Sequence, residues 1–87
     1  MVDLISVIIR NREKVLFQGG ARAVSSFNEK GTFDILPQHA NFISIIRNRI
    51  VVWKDIGLQE LPIKTGILKV WDNQVSIFLD IASQLRA

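Results

Sequence analysis

The sequence contains no cysteine and a single histidine, His39. Without cysteine there can be no disulfide framework, no thiolate zinc site and no cysteine nucleophile. With one histidine, any metal site would depend on carboxylate ligands, and the acidic residues show no cluster of that kind. We therefore expect the protein to hold no metal and no other cofactor.

The usual motifs of nucleotide-binding enzymes and of hydrolases are missing too. Gly19-Gly20 is not followed by Gly-Lys-Ser or Gly-Lys-Thr, so the chain has no phosphate-cradling loop. Asp34 and His39 could in principle orient a serine such as Ser44, but no Gly-x-Ser-x-Gly elbow exposes one. We expect no catalytic residue.

Long apolar runs are absent as well, and none approaches the roughly 20 residues needed to span a bilayer. The start, Met1-Val2-Asp3, lacks the basic flank of a signal peptide, which predicts a protein that stays in the cytoplasm. The 87 residues suffice for one domain with a modest core. A composition of 48% hydrophobic and 22% charged residues is typical of a globular protein.

Short apolar runs separated by turn residues at about every eight to twelve positions predict an all-β fold, either a two-sheet sandwich or a small barrel. A first hairpin is expected from residues 4–9 and 15–17, and another from residues 67–71 and 74–79. Asp72-Asn73 forms the second turn, because both residue types tolerate the left-handed backbone conformation.

Other positions are predicted to interrupt or limit strands. Pro62 marks its strand as an edge strand or a strand end, because proline has no amide hydrogen to donate. Residues 42–46 fit either a strand or a single helical turn. Breaks between strands are expected at Gly19-Gly20, Asn48 and Thr65-Gly66.

The stretch 31–41 reads as a strand that runs into a rigid corner. Gly31 follows a polar run and can adopt the positive φ that such a turn needs. Phe33 and Ile35 share one face of the strand, which Pro37 ends. His39 then lies on an exposed or half-exposed corner. It either caps that corner by donating from a ring nitrogen to a nearby carbonyl or contacts a partner subunit.

The pattern Gly-x-Phe-x-Ile-Leu-Pro-x-His-Ala over residues 31–40 resembles the signature of the epsilon subunit of F-type ATP synthase, called delta in mitochondria. Further similar segments are Phe17-Gln18-Gly19, the Gly-x-Leu-x-Val-like strand at 66–70 and the segment 75–82. Together these segments cover nearly the whole chain in the family's order.

The resemblance implies a sandwich of about ten short strands over residues 1–82, followed by a short tail at 83–87. It implies a non-catalytic subunit of the central stalk, or rotor, of a proton- or sodium-translocating ATP synthase. Such a subunit packs against the gamma subunit and rests on the c-ring. It is therefore held peripherally at the cytoplasmic face of the cell membrane.

The resemblance also assigns candidate contact residues. The turn Glu29, Lys30, Gly31 and Thr32 matches the loop that faces the c-ring, and the segment His39, Ala40 and Asn41 matches the one nearer gamma. Many members carry an acidic residue where Thr32 stands. Glu29 could supply that charge from the same turn, or Lys30 could face an acidic loop of the ring in a reversed contact.

Family members usually continue into a two-helix C-terminal domain that can inhibit ATP hydrolysis and, in some bacteria, binds ATP. The natural start and the absence of a tag favour a complete, short version that ends at Ala87. If the chain is complete, the resemblance implies neither autoinhibition nor ATP binding. An isolated sandwich with an apolar face is also expected to be able to form a homodimer through that face.

Two alternatives belong to other classes. The net charge of +3 is compatible with a small basic β-barrel that binds single-stranded nucleic acid. Such modules interleave aromatic and basic residues on one sheet face, whereas here Trp53 and Trp71 lie on separate strands and tyrosine is absent. We therefore interpret both tryptophans as core or sheet-face anchors and expect no nucleic-acid partner. The second alternative is an oligomerising sandwich with no rotor role.

Overall fold

The computed structural model describes residues 3–79, which form seven β-strands in one sheet of order β2-β1-β7-β6-β5-β3-β4. No helix among these residues is long and apolar enough to cross a membrane. The strands are β1 Ile5–Arg10, β2 Val15–Ala21, β3 Ala23–Asn28, β4 Gly31–Ile35, β5 Phe42–Trp53, β6 Leu58–Trp71 and β7 Gln74–Leu79.

The sheet divides into two layers that share its two long strands. β5 and β6 pair along their whole lengths, from Phe42 opposite Val70 to Trp53 opposite Leu58. Of the long strand β6, only residues 66–71 pair with β7. Of the long strand β5, only residues within 47–53 pair with β3. Layer one therefore contains β2, β1, β7 and the adjoining halves of β6 and β5. Layer two contains the other halves with β3 and β4, and the predicted all-β sandwich is confirmed.

Alternation along each strand places one set of side chains between the layers. In β1, residues Ile5, Val7 and Ile9 are buried, whereas the residues between them face outward. Buried residues from both layers form a single hydrophobic cluster. The core is rich in β-branched residues, which suit a pleated and half-buried surface. Its members are Ile5, Val7, Ile9, Ala21, Val24, Ile35, Ile46, Ile50, Val52, Leu68, Val70, Val75, Ile77 and Leu79.

The strands are fewer and longer than the expected set of about ten short ones. Asn48 was expected to end a strand, but it lies inside β5 with a φ of 78°, in the segment 48–50 that lies opposite the single residue Ser26 of β3. It therefore belongs to a bulge within the strand and does not end it. Gly66, also expected at a break, continues β6 and lies opposite Ile46. The predicted breaks at both positions are wrong.

The break predicted at Gly19-Gly20 is wrong as well. Both glycines belong to β2 and pair with Val7 and Ser6 of β1. A β-carbon on Gly20 would lie only 3.2 Å from Cδ1 of Leu4, so a small residue suits the position. The actual change of direction comes at Arg22, between β2 and β3. The first hairpin itself is present as β1 and β2.

Several local predictions are confirmed. Asp72 and Asn73 both have positive φ, 52° and 63°, in the two-residue turn between β6 and β7. Pro62 lies opposite Arg49 in the part of β6 that has β5 as its only described strand neighbour, so it sits on a sheet edge. Residues 42–46 are strand, not helix. The predicted domain boundary at 82 and the short tail at 83–87 lie outside the described residues.

Candidate partner-binding surfaces

The first predicted contact segment is the turn between β3 and β4. Asn28 pairs with Gly31, whose φ of 118° confirms the positive dihedral expected for it. The side-chain oxygen of Asn28 accepts a hydrogen bond from the backbone N–H of Lys30 at 2.8 Å and so holds the turn. Glu29, Lys30 and Thr32 are exposed, and the turn therefore carries exposed charges of both signs.

A groove of about 450 Å³ separates this turn from β5. The side-chain amide of Asn28 donates to the hydroxyl of Ser44 at 3.2 Å across it. The turn that carries Glu29 and Lys30 is thereby placed beside the first residues of β5. The groove is lined by Asn28, Glu29, Lys30, Phe42, Ile43, Ser44, Ile45 and Arg47.

The second predicted contact segment, His39, Ala40 and Asn41, forms the corner between β4 and β5. The backbone N–H of His39 donates to the carbonyl of Leu36 at 3.1 Å, and its ring Nδ1 lies 2.7 Å from the carbonyl oxygen of Ala40. The ring meets Phe42 edge-on at a centroid distance of 5.7 Å. His39 is half-buried, and it has the capping contact that the structural interpretation predicted.

This corner is tied to the turn between β6 and β7. Gln38, with a φ of 67°, donates its backbone N–H to the side-chain oxygen of Asn73 at 2.9 Å. The side-chain oxygen of Asn41 accepts the backbone N–H of Asp72 at 3.2 Å. Because Asp72 and Asn73 form the turn between β6 and β7, the corner lies at the end of layer one where Trp71 ends β6.

Layer one also exposes an apolar surface. None of the sequence motifs had identified the residues that form it. Ile43 and Ile45 of β5 are 68% and 70% exposed, and on the neighbouring β6 Ile67 and Trp71 are 45% and 60% exposed. Ile45 lies directly opposite Ile67. The patch continues across β7 and β1 through side chains that are half-buried. We call this surface the apolar face; its residues are Ile8, Ile43, Ile45, Ile67, Trp71 and Phe78.

The outer surface of layer two has a different character. Arg49 forms an ion pair with Glu60 at 3.1 Å and lies 5.1 Å from the ring centroid of Phe27. Ser25 donates to Asp34 and accepts a hydrogen bond from the indole nitrogen of Trp53 at 2.9 Å. The polar groups of layer two therefore bind one another, as expected for a solvated surface. Trp53 acts as the predicted sheet-face anchor.

The possible serine arrangement considered from the sequence is not assembled. Asp34 accepts from Ser25, the hydroxyl of Ser44 is bound by Asn28, and Nδ1 of His39 lies against Ala40. Within residues 3–79, no three histidine or acidic side chains come close enough together to hold a metal ion.

The fold is thus a small two-layer β-sandwich with one exposed apolar face. The sequence model of the family described as "ATP synthase, Delta/Epsilon chain, beta-sandwich domain" matches residues 4–84. Because that match covers nearly all of the sequence, the chain belongs to this family.

Individual relatives agree with this assignment. The chain is 27% identical over 86 residues to an ATP synthase epsilon chain of Nitratiruptor, covering 97% of this chain and 67% of that protein. It is 33% identical over 86 residues to an ATP synthase epsilon chain of Clostridium botulinum, covering 97% of this chain and 65% of that protein. The chain thus spans about two thirds of the length of these relatives.

Solved structures show the same fold at low sequence identity. A chain of the Euglena gracilis mitochondrial ATP synthase, in a structure of its OSCP, F1 and c-ring, superimposes with a TM-score of 0.82 at 16% identity. That match covers 91% of this chain and 52% of the other. A chain of the central stalk and c-ring of the Tetrahymena thermophila mitochondrial enzyme gives a TM-score of 0.75 at 11% identity, covering 100% and 74%.

Proposed function

We propose that the chain is a non-catalytic subunit of the central stalk of a proton- or sodium-translocating F-type ATP synthase, where it joins the gamma subunit to the c-ring. The observation that carries this proposal is the apolar face, on which isoleucine and tryptophan side chains are exposed on one side of the sheet. A contiguous exposed apolar patch indicates a protein–protein contact. Family membership supplies the complex in which the contact is made.

In this proposal the gamma subunit covers the apolar face and the adjoining corner of His39, Ala40 and Asn41. Support comes from the hydrogen bond between Asn41 and the backbone of Asp72, which places the corner at the border of the apolar face. One partner surface can therefore contact both. The domain would lie at the cytoplasmic face of the cell membrane, held there through the complex and not by insertion.

The c-ring would contact the turn formed by Glu29, Lys30, Gly31 and Thr32. A charge swap distinguishes the two possible contacts of this turn in binding assays with detergent-solubilised c-ring. If Glu29 meets a basic loop, Glu29→Lys abolishes binding and Lys30→Glu does not; the opposite result assigns the contact to Lys30. Unchanged binding in both variants would contradict this placement.

The experiment that tests the gamma contact mixes the purified chain with the gamma subunit encoded in the same genome. Complex formation is followed by size-exclusion chromatography and calorimetry. We expect Ile45→Ser to weaken the complex about 10- to 100-fold, because burial of an isoleucine side chain contributes about 1.5–3 kcal/mol. Ile56→Ser is the matched control, since Ile56 is 92% exposed on the turn between β5 and β6, away from the apolar face.

Each outcome of this experiment is informative. A stoichiometric, salt-tolerant complex that is weakened by Ile45→Ser and unaffected by Ile56→Ser supports the proposal. Failure of the wild-type chain to bind gamma, or equal effects of the two variants, contradicts it. Single-stranded DNA is the control ligand, and steeply salt-dependent binding to DNA would favour the nucleic-acid alternative instead.

A further inference from the structure

The charged side chains on the outer surface of layer one all have the same sign. They are Arg10 on β1 and Lys69 on β6, with Arg47 at the boundary where β5 passes from layer one to layer two, and no acidic residue lies among the outward-facing positions of the layer's described strands. We propose that the partner surface covering the apolar face carries carboxylates opposite these cations, with the principal one opposite Lys69. This inference rests on the proposed function, in which gamma is that partner.

Lys69 lies in the middle of the apolar face. Its neighbours are Ile43 on one adjacent strand and Ser76 on the other, with Ile67 and Trp71 on the same side of its own strand. Its ammonium group lies 5.8 Å from the ring centroid of Trp71, within the range of a cation–π contact. A partner that buries Ile43 and Trp71 must therefore also cover Lys69.

Covering a lysine removes water from its ammonium group, which is unfavourable unless a partner replaces the lost hydrogen bonds. Charged residues are accordingly depleted from the centres of protein interfaces. Lysines that protect a sheet from aggregation occur on edge strands, whereas residues 66–71 of β6 lie between β5 and β7. A carboxylate on the partner accounts for a lysine at this central position.

Layer two provides an internal comparison. There the Arg49 guanidinium has Glu60 as its partner within the chain, and Asp34 is bound by Ser25. On layer one, Arg10 lies at the border of the apolar face, opposite Phe78, whereas Arg47 lies at the boundary between the layers, opposite both Thr65 of β6 and Phe27 of β3. Among strand residues, charges of both signs thus lie on the solvated surface of layer two, whereas the strands of the apolar face carry only cations; an acidic residue, Glu29, lines the groove beside Ile43 and Ile45 from the neighbouring turn. One-sided charge of this kind favours a complementary, acidic partner.

Two other occupants fit less well. A second copy of the chain would bring its own Lys69 and arginines against the same cations, and like charges at an interface are repulsive. Single-stranded nucleic acid would need aromatic rings on which bases stack. The most exposed members of the apolar face, Ile43 and Ile45, are aliphatic. A protein surface with apolar side chains flanked by carboxylates fits both the shape and the charge.

The test is the sign of the effect of Lys69→Met on binding of the wild-type gamma subunit. If a carboxylate lies opposite Lys69, the neutral side chain leaves that carboxylate buried without a partner, and the affinity falls about tenfold or more. If the partner surface is only apolar, methionine removes the cost of dehydrating an ammonium group, and the affinity rises or stays unchanged. Lys64→Met is the matched control, because Lys64 is exposed on the same strand beyond the halves that form layer one.

The outcomes separate this inference from the function on which it rests. A fall in affinity for Lys69→Met, with no change for Lys64→Met and restoration by Lys69→Arg, supports it. Binding of gamma that depends on Ile45 but is strengthened or unaffected by Lys69→Met overturns the inference and leaves the proposed function standing. Absence of any complex between gamma and the wild-type chain overturns both. Self-association of the wild-type chain that Ile45→Ser abolishes and that added gamma does not displace assigns the face to a second copy and also overturns the inference.

Discussion

Gly66 and Leu79 lie so close together that a β-carbon on Gly66 would be 2.8 Å from Cδ2 of Leu79. The carbonyl oxygen of Phe78 would be 3.0 Å from the same β-carbon. Since a backbone oxygen in a paired strand moves aside less easily than a side chain, any side chain at position 66 would force β7 to shift away from β6. The glycine thus permits close approach of two strands and does not end one.

We expect Gly66→Ala to destabilise the domain by about 1–3 kcal/mol, because the added methyl group overpacks the contact between β6 and β7. Urea unfolding measures the effect. Gly19→Ala is the control, since its β-carbon would meet its nearest atom, Cζ of Phe17, at an ordinary 3.8 Å. That variant should change stability by no more than about 0.5 kcal/mol. Equal stability of the two variants would show that β7 shifts at Leu79 and accommodates the added methyl group without cost.

The turn between β6 and β7 yields two opposite predictions. Asp72→Gly should stabilise the domain by a few tenths to about 1 kcal/mol, because glycine adopts the positive φ at the first turn position without strain. Asn73→Gly should destabilise it. The side chain of Asn73 accepts from Gln38 at 2.9 Å and donates to the carbonyl of Leu4 at 2.9 Å, and glycine loses both bonds.

Thermal and urea unfolding of the two glycine variants provide the measurement. Losing two hydrogen bonds at about 1 kcal/mol each outweighs the relief of turn strain, so the two variants should shift stability in opposite directions. A stabilised Asn73→Gly variant would mean that these side-chain bonds contribute little. Asn73 would then be an ordinary turn residue and not a link between the turn, the N-terminal segment and the corner at Gln38.

Ser26 is the one polar residue in the described core that is buried to 2% exposure. Its hydroxyl donates to the carbonyl of Arg49 at 2.8 Å, at the point where the register between β3 and β5 shifts. Ser26→Ala should therefore destabilise the domain by about 1–2 kcal/mol, because it leaves that carbonyl without its donor. Ser76→Ala, on the exposed side of β7, is the control and should be close to neutral. Equal unfolding midpoints would show that water satisfies the Arg49 carbonyl.

Much of the fold follows from signals that act over a few residues. Gly31, Pro37 and the Asp72-Asn73 turn could be predicted because backbone conformation at each depends on the residue type itself. Asn48 and Gly66 could not be interpreted in the same way. Whether such a residue ends a strand or bends it depends on the neighbouring strand, here Leu79 beside Gly66, and that neighbour is distant in sequence. The predicted strand breaks were wrong for this reason.

The candidate partner-binding surfaces could likewise be predicted only in part. The turn at Glu29 and the corner at His39 were found because they carry distinctive residues. The apolar face was not, since Phe42, Ile43, Ile45 and Ile46 are all apolar and the sequence gives no sign of which of them the core covers. The better signal lay in β6, where Lys69 stands between Leu68 and Val70 and shows that its side of the strand faces outward.

The two tryptophans allow the proposed gamma contact to be located by fluorescence. Trp71 is 60% exposed on the apolar face, whereas Trp53 lies on the outer surface of layer two, hydrogen-bonded to Ser25. Trp53→Phe leaves Trp71 as the only tryptophan in the chain, and Trp71→Phe leaves Trp53. Against a gamma subunit whose own tryptophans are replaced by phenylalanine, the emission of Trp71 should shift to shorter wavelength on binding, because the indole loses contact with water. The emission of Trp53 should not change. A shift confined to Trp53 would place gamma on layer two and contradict both the assignment of the apolar face and the role inferred for Lys69.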